Sequence, residues 1–414
     1  GSLYKNLFYY LAVNRSKSEG HLPYTAYDGK DYELKSGYKS PTFEITFSTK
    51  YFDGYKEEPD TSWTDYERGA FDLTLKYLYM GEHSLKFYRI FGEHLFSDGW
   101  HSKDRTDGMI YNSLWKFFKG NEILFGAEYK FPWGERLTEE GDSVLGEWDR
   151  KNYAFYLHVN HKFSRFILSS GIRYDNDEIC GSFLSPRAGI VVKTLPDLLI
   201  RVSWGKGFRY PQLNELYMFP PSNPLLKPEE AINYEIGVNY SYKFLNLDAV
   251  YYVEKGENLI ELNKNPSPPP LYKFENTGKF DFKGVETNLT LSGINMKSRL
   301  SYTYLEPGIH TKGRVKHKFD FLVLYRYKPF IFSLNSQYVK DYYAEDSSKS
   351  EIGDYFVMNM KLHFTLNKFS GIFFAVNNIF DAKYSIYVDL PGGKAGLYDM
   401  PGRRFTLGIE LRYK

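Results

Sequence analysis

The end of the chain, residues 402–413, alternates apolar and polar residues with a period of two. One face of this segment is apolar and consists of Phe405, Leu407, Ile409, Leu411 and Tyr413. The intervening positions are mostly threonine, glycine and charged residues. A period of two is the side-chain repeat of a β-strand, and it excludes a helix, in which apolar residues recur every three or four positions. The segments 355–366 and 71–79 show the same alternation.

The predicted strands are about 9–12 residues long, whereas strands of soluble sheets average about 5–6 residues. A tilted strand needs about 9–11 residues to cross a bilayer. Lys76 and Lys361 fall on the polar faces, where a water-filled lumen would accept them. The lengths therefore favour a transmembrane barrel over a soluble β-protein. We expect a lipid-facing belt that includes Phe356, Met358, Met360, Leu362, Phe405, Leu407 and Ile409.

The connections between predicted strands alternate between short and long. Short turns occur, for example, near 39–42 and 366–369, and long polar connections near 132–150 and 207–228. Outer-membrane barrels have tight periplasmic turns and long outer loops. The alternation predicts one domain over 1–414, an all-β, antiparallel transmembrane barrel of about 20 strands.

Composition supports this class and excludes others. Aromatic residues make up 19% of the chain, and they favour strands and the water–lipid boundary. The net charge of +2 gives no basic face for nucleic acid. The lone Cys180 excludes an internal disulfide framework and a cysteine zinc site. No catalytic motif is present, so we expect no enzyme activity, catalytic residue, cofactor or metal site.

Ordered motifs occupy the second half of the chain. Residues 205–217 read GKGFRYPQLNELY, 223–229 read NPLLKPE, 275–286 read ENTGKFDFKGVE and 400–408 read MPGRRFTLG. These segments resemble, in order and spacing, the barrel motifs of TonB-dependent outer-membrane receptors. The residues that carry the resemblance are Gly207, Phe208, Arg209, Pro211, Asn223, Pro224, Gly284 and Glu286.

The resemblance implies a location in the bacterial outer membrane, with lipid around the barrel and a small metal complex as cargo. Siderophore-bound iron or cobalamin is the expected cargo, and TonB would act only through an N-terminal plug. Family barrels have 22 strands, and the segment 6–14 resembles the third, so we expect the plug and first two strands to be absent from this chain. The alternative is a plugless passive diffusion channel, or a structural or interaction barrel derived from such a receptor.

Ligand contact is predicted for aromatic and histidine side chains in the outer loops. These candidates are Trp100, His101, Trp133, Tyr217 and Phe219. A ring on an outer loop can stack on a ligand, and it can equally pack within the loop itself.

Other loop features have structural interpretations. We interpret Gly205–Pro211 as a strand end at which the chain turns. Gly205 and Gly207 permit unusual backbone angles, and Pro211 removes a backbone donor as the loop leaves the ladder. Asp175, Asp177 and Glu178 crowd one connection without the spacing of a calcium loop, which favours solvated surface. The proline run 266–270 stiffens a long loop.

A transmembrane sheet must also close, because an unpaired edge cannot be hydrogen-bonded inside lipid. The segment 6–14 and the last strand run in opposite directions, so they can pair directly. Direct pairing predicts a closed barrel of about 20 strands. If two further strands are supplied, they would separate these edges.

Overall fold

The computed structural model describes residues 2–4, 6–58, 61–219, 221–263, 273–388 and 396–411. Within these ranges the chain forms 27 β-strands and one turn of π-helix at Asn214–Met218. The strands are β1 (Ser2–Tyr4), β2 (Leu7–Ser18), β3 (Tyr27–Lys39), β4 (Phe43–Glu57), β5 (Trp63–Leu78), β6 (Glu82–Phe96), β7 (His101–Phe117), β8 (Asn121–Leu137), β9 (Val144–Asp149), β10 (Asn152–Phe163), β11 (Phe166–Asp177), β12 (Gly181–Leu195), β13 (Leu198–Arg209), β14 (Glu229–Tyr242), β15 (Leu245–Glu257), β16 (Ile260–Asn263), β17 (Lys273–Asn276), β18 (Lys279–Ser292), β19 (Met296–Glu306), β20 (Val315–Tyr327), β21 (Phe330–Glu345), β22 (Lys349–Glu351), β23 (Tyr355–Asn367), β24 (Ser370–Asn377), β25 (Ser385–Val388), β26 (Gly396–Asp399) and β27 (Arg404–Leu411).

Twenty of these strands have eight or more residues, and each is antiparallel to the next long strand along the chain. With the short β1, β9 and β22 they form one 23-stranded sheet. The pairs β16–β17 and β25–β26 form separate ribbons. The prediction of an antiparallel all-β fold with about 20 long strands is confirmed. The described residues contain no helix that is long and apolar enough to span a membrane.

The two ends of the sheet differ in their connections. At one end, which we call the turn end, tight turns such as 40–42 and 368–369 join consecutive strands. The opposite end, the loop end, carries the longer connections, including 210–228. Several connections are shorter than predicted, and β11 and β12 leave only 178–180 between them. The strands extend beyond their predicted ends, because backbone hydrogen bonds between strands form whatever the polarity of the side chains. The polar ends of these strands were therefore wrongly predicted to be loops.

The predicted belt residues share one face of the sheet. In register across β21, β23, β24 and β27, Phe332 pairs with Leu362, Leu362 with Phe374, and Phe374 with Leu407. The other face is polar: the Nε2 atom of His363 lies 3.1 Å from a carboxylate oxygen of Glu410. A concavity on this polar face is lined by residues that include Arg299, Asp320, Asn335, Gln337 and Asn359. The apolar face therefore lies outside, as the alternation predicts.

The two outermost strands do not meet within the described residues. There, β27 pairs with β24 alone, and 412–414 lie outside the described ranges. The free edge of β2 instead carries β1, with Ser2 opposite Tyr9 and Tyr4 opposite Leu7. Direct pairing of 6–14 with the last strand is therefore not found among the described residues, and β1 occupies the edge of β2 at Leu7–Tyr9.

Candidate functional site at the loop end

Arg209, the last residue of β13, fastens the long loop 210–228 onto the sheet. Its guanidinium donates to both carboxylate oxygens of Glu229, at 2.7 and 2.9 Å, and to both of Glu215, at 3.0 and 2.9 Å. Glu229 is the cross-strand partner of Arg209, and Glu215 lies in the π-helical turn. The hydrogen bonds to Glu229, and then to Glu215, raise the pKa of Arg209, which keeps the side chain charged. The arginine of the motif thus holds the loop in place.

Pro211 connects this loop to a buried ion pair. Its carbonyl oxygen accepts a hydrogen bond of 2.7 Å from the Nη1 atom of Arg150. The Nε atom of Arg150 lies 3.5 Å from a carboxylate oxygen of Asp177, and both side chains are buried. Asp177 also accepts hydrogen bonds from the backbone nitrogens of Ile179 and Cys180, at 3.0 and 2.7 Å. This carboxylate fixes the turn between β11 and β12.

The expectation of solvated acidic residues at this connection is therefore wrong for two of the three. Asp175 is buried, with a carboxylate oxygen 2.8 Å from the Nη2 atom of Arg173, and Asp177 is 1% exposed. Glu178 accepts a hydrogen bond of 3.0 Å from the backbone nitrogen of Lys151. Arginine partners from outside the segment explain the burial, because a paired and hydrogen-bonded carboxylate can leave water. Arg173 lies two positions before Asp175, whereas Arg150, the partner of Asp177, is not visible in the local spacing.

Cys180 lies in the same turn. Burial, followed by the nearby Asp177 carboxylate, raises the pKa of its thiol to about 11. The thiolate is the reactive form, so we expect alkylation by iodoacetamide at pH 8 to be roughly 100-fold slower than for an ordinary cysteine. Rates should rise with pH until about 11, as measured by mass spectrometry of the folded protein. Denaturant-unfolded protein provides the control. A rate equal to that control would contradict the buried position.

The later motifs pack beneath the loop. The Nδ2 atom of Asn223 donates to the carbonyl of Phe274 at 2.8 Å. The backbone nitrogen of Lys227 donates to the side-chain oxygen of Asn276 at 2.9 Å. A buried apolar cluster completes the contact, formed by Leu216, Leu226, Leu262 and Phe274. The motif segments 223–229 and 275–286 thus meet in one unit, which we call the loop platform, together with the π-helical turn.

The remaining motif residues have varied settings. Phe208 stacks on Phe183 with ring centroids 4.8 Å apart. A Cβ atom at Gly284 would lie 2.3 Å from the ring of Tyr252, so glycine makes room for that ring. Glu286 is exposed on the same strand face as Gly284, and Pro224 follows the buried Asn223.

Gly207 lies in extended β13 without a positive φ and with space around it, so the predicted unusual backbone angle is absent. Nothing in the structure explains glycine there.

Three of the five residues predicted to contact ligand, Trp100, Tyr217 and Phe219, lie together beside the loop platform. Trp100 stacks on Phe219 with centroids 5.4 Å apart, and Tyr217 stacks on Trp148 at 6.3 Å. The guanidinium of Arg136 lies 4.3 Å from the centre of Trp100. Trp148 was missed by sequence reasoning, although its position in the predicted loop 132–150 was a signal available for it.

The other two predicted contacts lie on strands rather than in loops. His101 is the first residue of β7, and its ring nitrogens lie 2.8 Å from Glu93 Oε1 and 3.2 Å from the carbonyl of Thr138. Trp133 lies within β8 and donates to Glu147 at 2.6 Å. Arg105 lies 4.8 Å from the Trp133 ring centre. These placements describe packing, and ligand contact by all five residues stays a prediction.

Comparison with known proteins identifies the family to which this arrangement belongs. The family described as "TonB dependent receptor-like, beta-barrel" matches residues 4–379, which is most of the chain. The chain belongs to the TonB-dependent receptor family. The resemblance of the ordered motifs to this family is confirmed.

Among curated relatives, the chain is 23% identical over 270 residues to the vitamin B12 transporter BtuB of Vibrio vulnificus. That match covers 64% of this chain and 43% of the relative. It is 24% identical over 209 residues to BtuB of Photobacterium profundum, covering 50% and 34%. The matched part therefore spans less than half the length of these relatives.

Solved structures show the same fold. The FrpB iron transporter of Neisseria meningitidis has a TM-score of 0.83 at 14% identity, over 99% of this chain and 77% of that one. A variant of the ferric enterobactin receptor PfeA of Pseudomonas aeruginosa has a TM-score of 0.80 at 15% identity, over 99% and 76%. At sequence identities this low, the similarity shows a shared barrel fold and nothing more.

Proposed function

We propose that this chain forms the wall and the outer binding surface of a TonB-dependent outer-membrane receptor that takes up a scarce metal complex. Siderophore-bound iron and cobalamin are the proposed cargoes. The observation that carries this proposal is the loop platform, in which three of the four motif segments meet at the loop end of a family barrel. The relatives reported above, named as vitamin B12, iron and ferric enterobactin transporters or receptors, support the same cargo class.

The chemistry of the loop end suits such a cargo. The partly exposed rings of Tyr217, Phe219 and Trp148 offer flat apolar surface. Packing holds them in place, because Tyr217 stacks on Trp148 and Phe219 stacks on the buried Trp100. Arg136 next to Trp100 adds positive charge. Rings stack on flat organic ligands, and arginine attracts anionic ones such as a ferric catecholate. The barrel supplies no chemistry in this proposal, and the energy for uptake comes from TonB acting on a plug.

Uptake by the full-length protein tests the proposal. The host is a Gram-negative strain that lacks its own siderophore and cobalamin receptors, supplied with one ferric siderophore or cobalamin at nanomolar concentration. We expect growth that requires TonB and that is selective for one of the supplied complexes. Unselective passage of large solutes without TonB would contradict the proposal and support the passive channel instead.

A matched pair of substitutions tests the aromatic surface. Phe219→Ala removes a stacked ring at the loop end and should weaken cargo binding about 3–10-fold, the usual effect of one aromatic contact. Phe118→Ala is the control, because Phe118 is exposed at the turn end, between β7 and β8. Binding is measured by titrating the labelled cargo onto protein in native membranes. Equal effects of the two substitutions would remove Phe219 from the binding surface.

A further inference from the structure

Three loop-end segments bring one histidine and two carboxylates together. Glu261 lies in β16, His310 in the connection 307–314, and Asp346 in the turn after β21. One donor atom from each residue lies within 4.8 Å of the others. No metal site is predicted from the sequence because the three residues are separated by tens of positions.

His310 stands out within this group. Its side chain is nine-tenths buried, and its Nδ1 atom has no hydrogen-bond partner. That atom lies 3.9 Å from the Oε2 atom of Glu261, which is too far for a hydrogen bond. Burying a polar atom without a partner costs free energy, and a cation bound between His310 and Glu261 would give this nitrogen the partner that it lacks.

The gap between the donors matches the space that a small cation needs. Two ligands on one zinc ion, each at about 2.0–2.2 Å, are separated by about 3.0–3.5 Å. Donors now 3.9–4.8 Å apart would close on an ion by small side-chain movements. We propose that Glu261, His310 and Asp346 bind a divalent first-row transition metal, with Zn²⁺ as its representative, and that this ion holds three outer segments together.

The donor set selects this class of metal. Imidazole nitrogen suits Zn²⁺ and its neighbours, whereas Ca²⁺ and Mg²⁺ prefer oxygen ligands throughout. The charges also permit a dication. The guanidinium of Arg314 lies 3.6 Å from Glu261 Oε1. Together with this one positive charge, the carboxylates of Glu261 and Asp346 carry a net charge of about −1. Waters would complete the coordination of a three-ligand site.

Two of the ligands are already held in position. The backbone nitrogen of Lys312 donates to Asp346 Oδ1 at 2.9 Å. The backbone nitrogen of Ser347 donates to the carbonyl of Ile309 at 2.7 Å. The hydroxyl of Thr311 donates to the carbonyl of Glu345 at 2.9 Å. These bonds fix the His310 connection against the Asp346 turn before any ion binds, and only Glu261 must be recruited from the β16–β17 ribbon.

The proposed metal ligands are all residues of this chain, so the site is tested without cargo. Full-length protein in detergent is stripped with EDTA and titrated with Zn²⁺ against a fluorescent chelator. We expect one site, with affinity reduced about tenfold or more in His310→Asn and in Asp346→Asn, because each removes a ligand. His94→Asn is the matched control, since His94 lies outside the proposed site and pairs with Asp104 at 3.7 Å. This variant should bind Zn²⁺ as the unmodified protein does.

A second readout follows the loops directly. Zn²⁺ should slow trypsin cleavage after Arg314 in the unmodified protein and leave the rate unchanged in Asp346→Asn. Two results would overturn the proposal: no uptake of Zn²⁺ by the unmodified protein up to about 100 µM, or equal affinity in both ligand variants. If His310→Asn fails to fold, Asp346→Asn and the stripped unmodified protein still decide the question. Failure here leaves the uptake result untouched, so the two proposals can fail separately.

Discussion

Replacing Leu407 with arginine should destabilise the protein in lipid by about 2–4 kcal/mol, provided that the residue lies near mid-membrane. Leu407 is 75% exposed on the apolar face, in register with Phe374 and, through it, with Leu362 and Phe332. A guanidinium at this level would replace an alkyl group in the hydrocarbon layer. Folding into vesicles of defined thickness, followed by urea unfolding, measures the loss.

Thr406→Arg is the control for this substitution. Thr406 is next in sequence but faces the polar side, opposite Ala375, which in turn pairs with Lys361. That face already accepts the Lys361 side chain, so the same arginine should cost less than about 1 kcal/mol there. Equal losses for the two variants would show that the assigned facing of β27 is wrong.

Replacing Arg150 with methionine should cost about 3–5 kcal/mol, the usual penalty for removing one partner of a buried ion pair. Methionine keeps an unbranched apolar side chain in place of the arginine stem but leaves the Asp177 carboxylate, which is 1% exposed, without its cation. The carbonyl of Pro211 also loses its hydrogen bond. The free energy of unfolding in vesicles measures the total. Protease cutting in 210–228 reports the local effect, because the loop loses the hydrogen bond that Arg150 donates to Pro211.

The matched control is Arg15→Met, which breaks the Arg15–Asp28 pair on exposed side chains. Such pairs contribute about 0–1 kcal/mol. The double variant Arg150→Met with Asp177→Asn should recover part of the loss, since it removes the unpaired buried charge. A cost for Arg150→Met as small as that for Arg15→Met would mean that Asp177 is hydrated rather than buried.

Strand identity and facing were predictable from the sequence because they depend on a local, repeating signal. Alternation in 355–366 placed Met358 and Leu362 on one face, and the sheet keeps them there. The tight turns were predictable for the same reason. The lengths of the outer connections were not, because backbone pairing continues through polar segments such as Trp63–Glu67, where side-chain pattern carries no information.

The loop end was harder to predict because its contacts are long-range. The burial of Asp177 depends on Arg150, 27 positions earlier, and on the loop that carries Pro211. The grouping of Trp100 with Phe219 joins residues more than a hundred positions apart. His310 carries no signal in the sequence, and only the approach of Glu261 and Asp346 from other segments sets it apart. Such groupings require the fold to be known first.

The pairing of each long strand with its neighbour along the chain has a kinetic consequence. Nearly all of the sheet consists of consecutive hairpins, so each long strand pairs with the next long strand along the chain. Closing such short loops is cheap, with about 0.6 kcal/mol added for each doubling of loop length. The chain can therefore assemble one hairpin at a time. The exceptional step is at the seam, where the edge formed by β1 and β2 and the edge of β27 lie almost the whole chain apart.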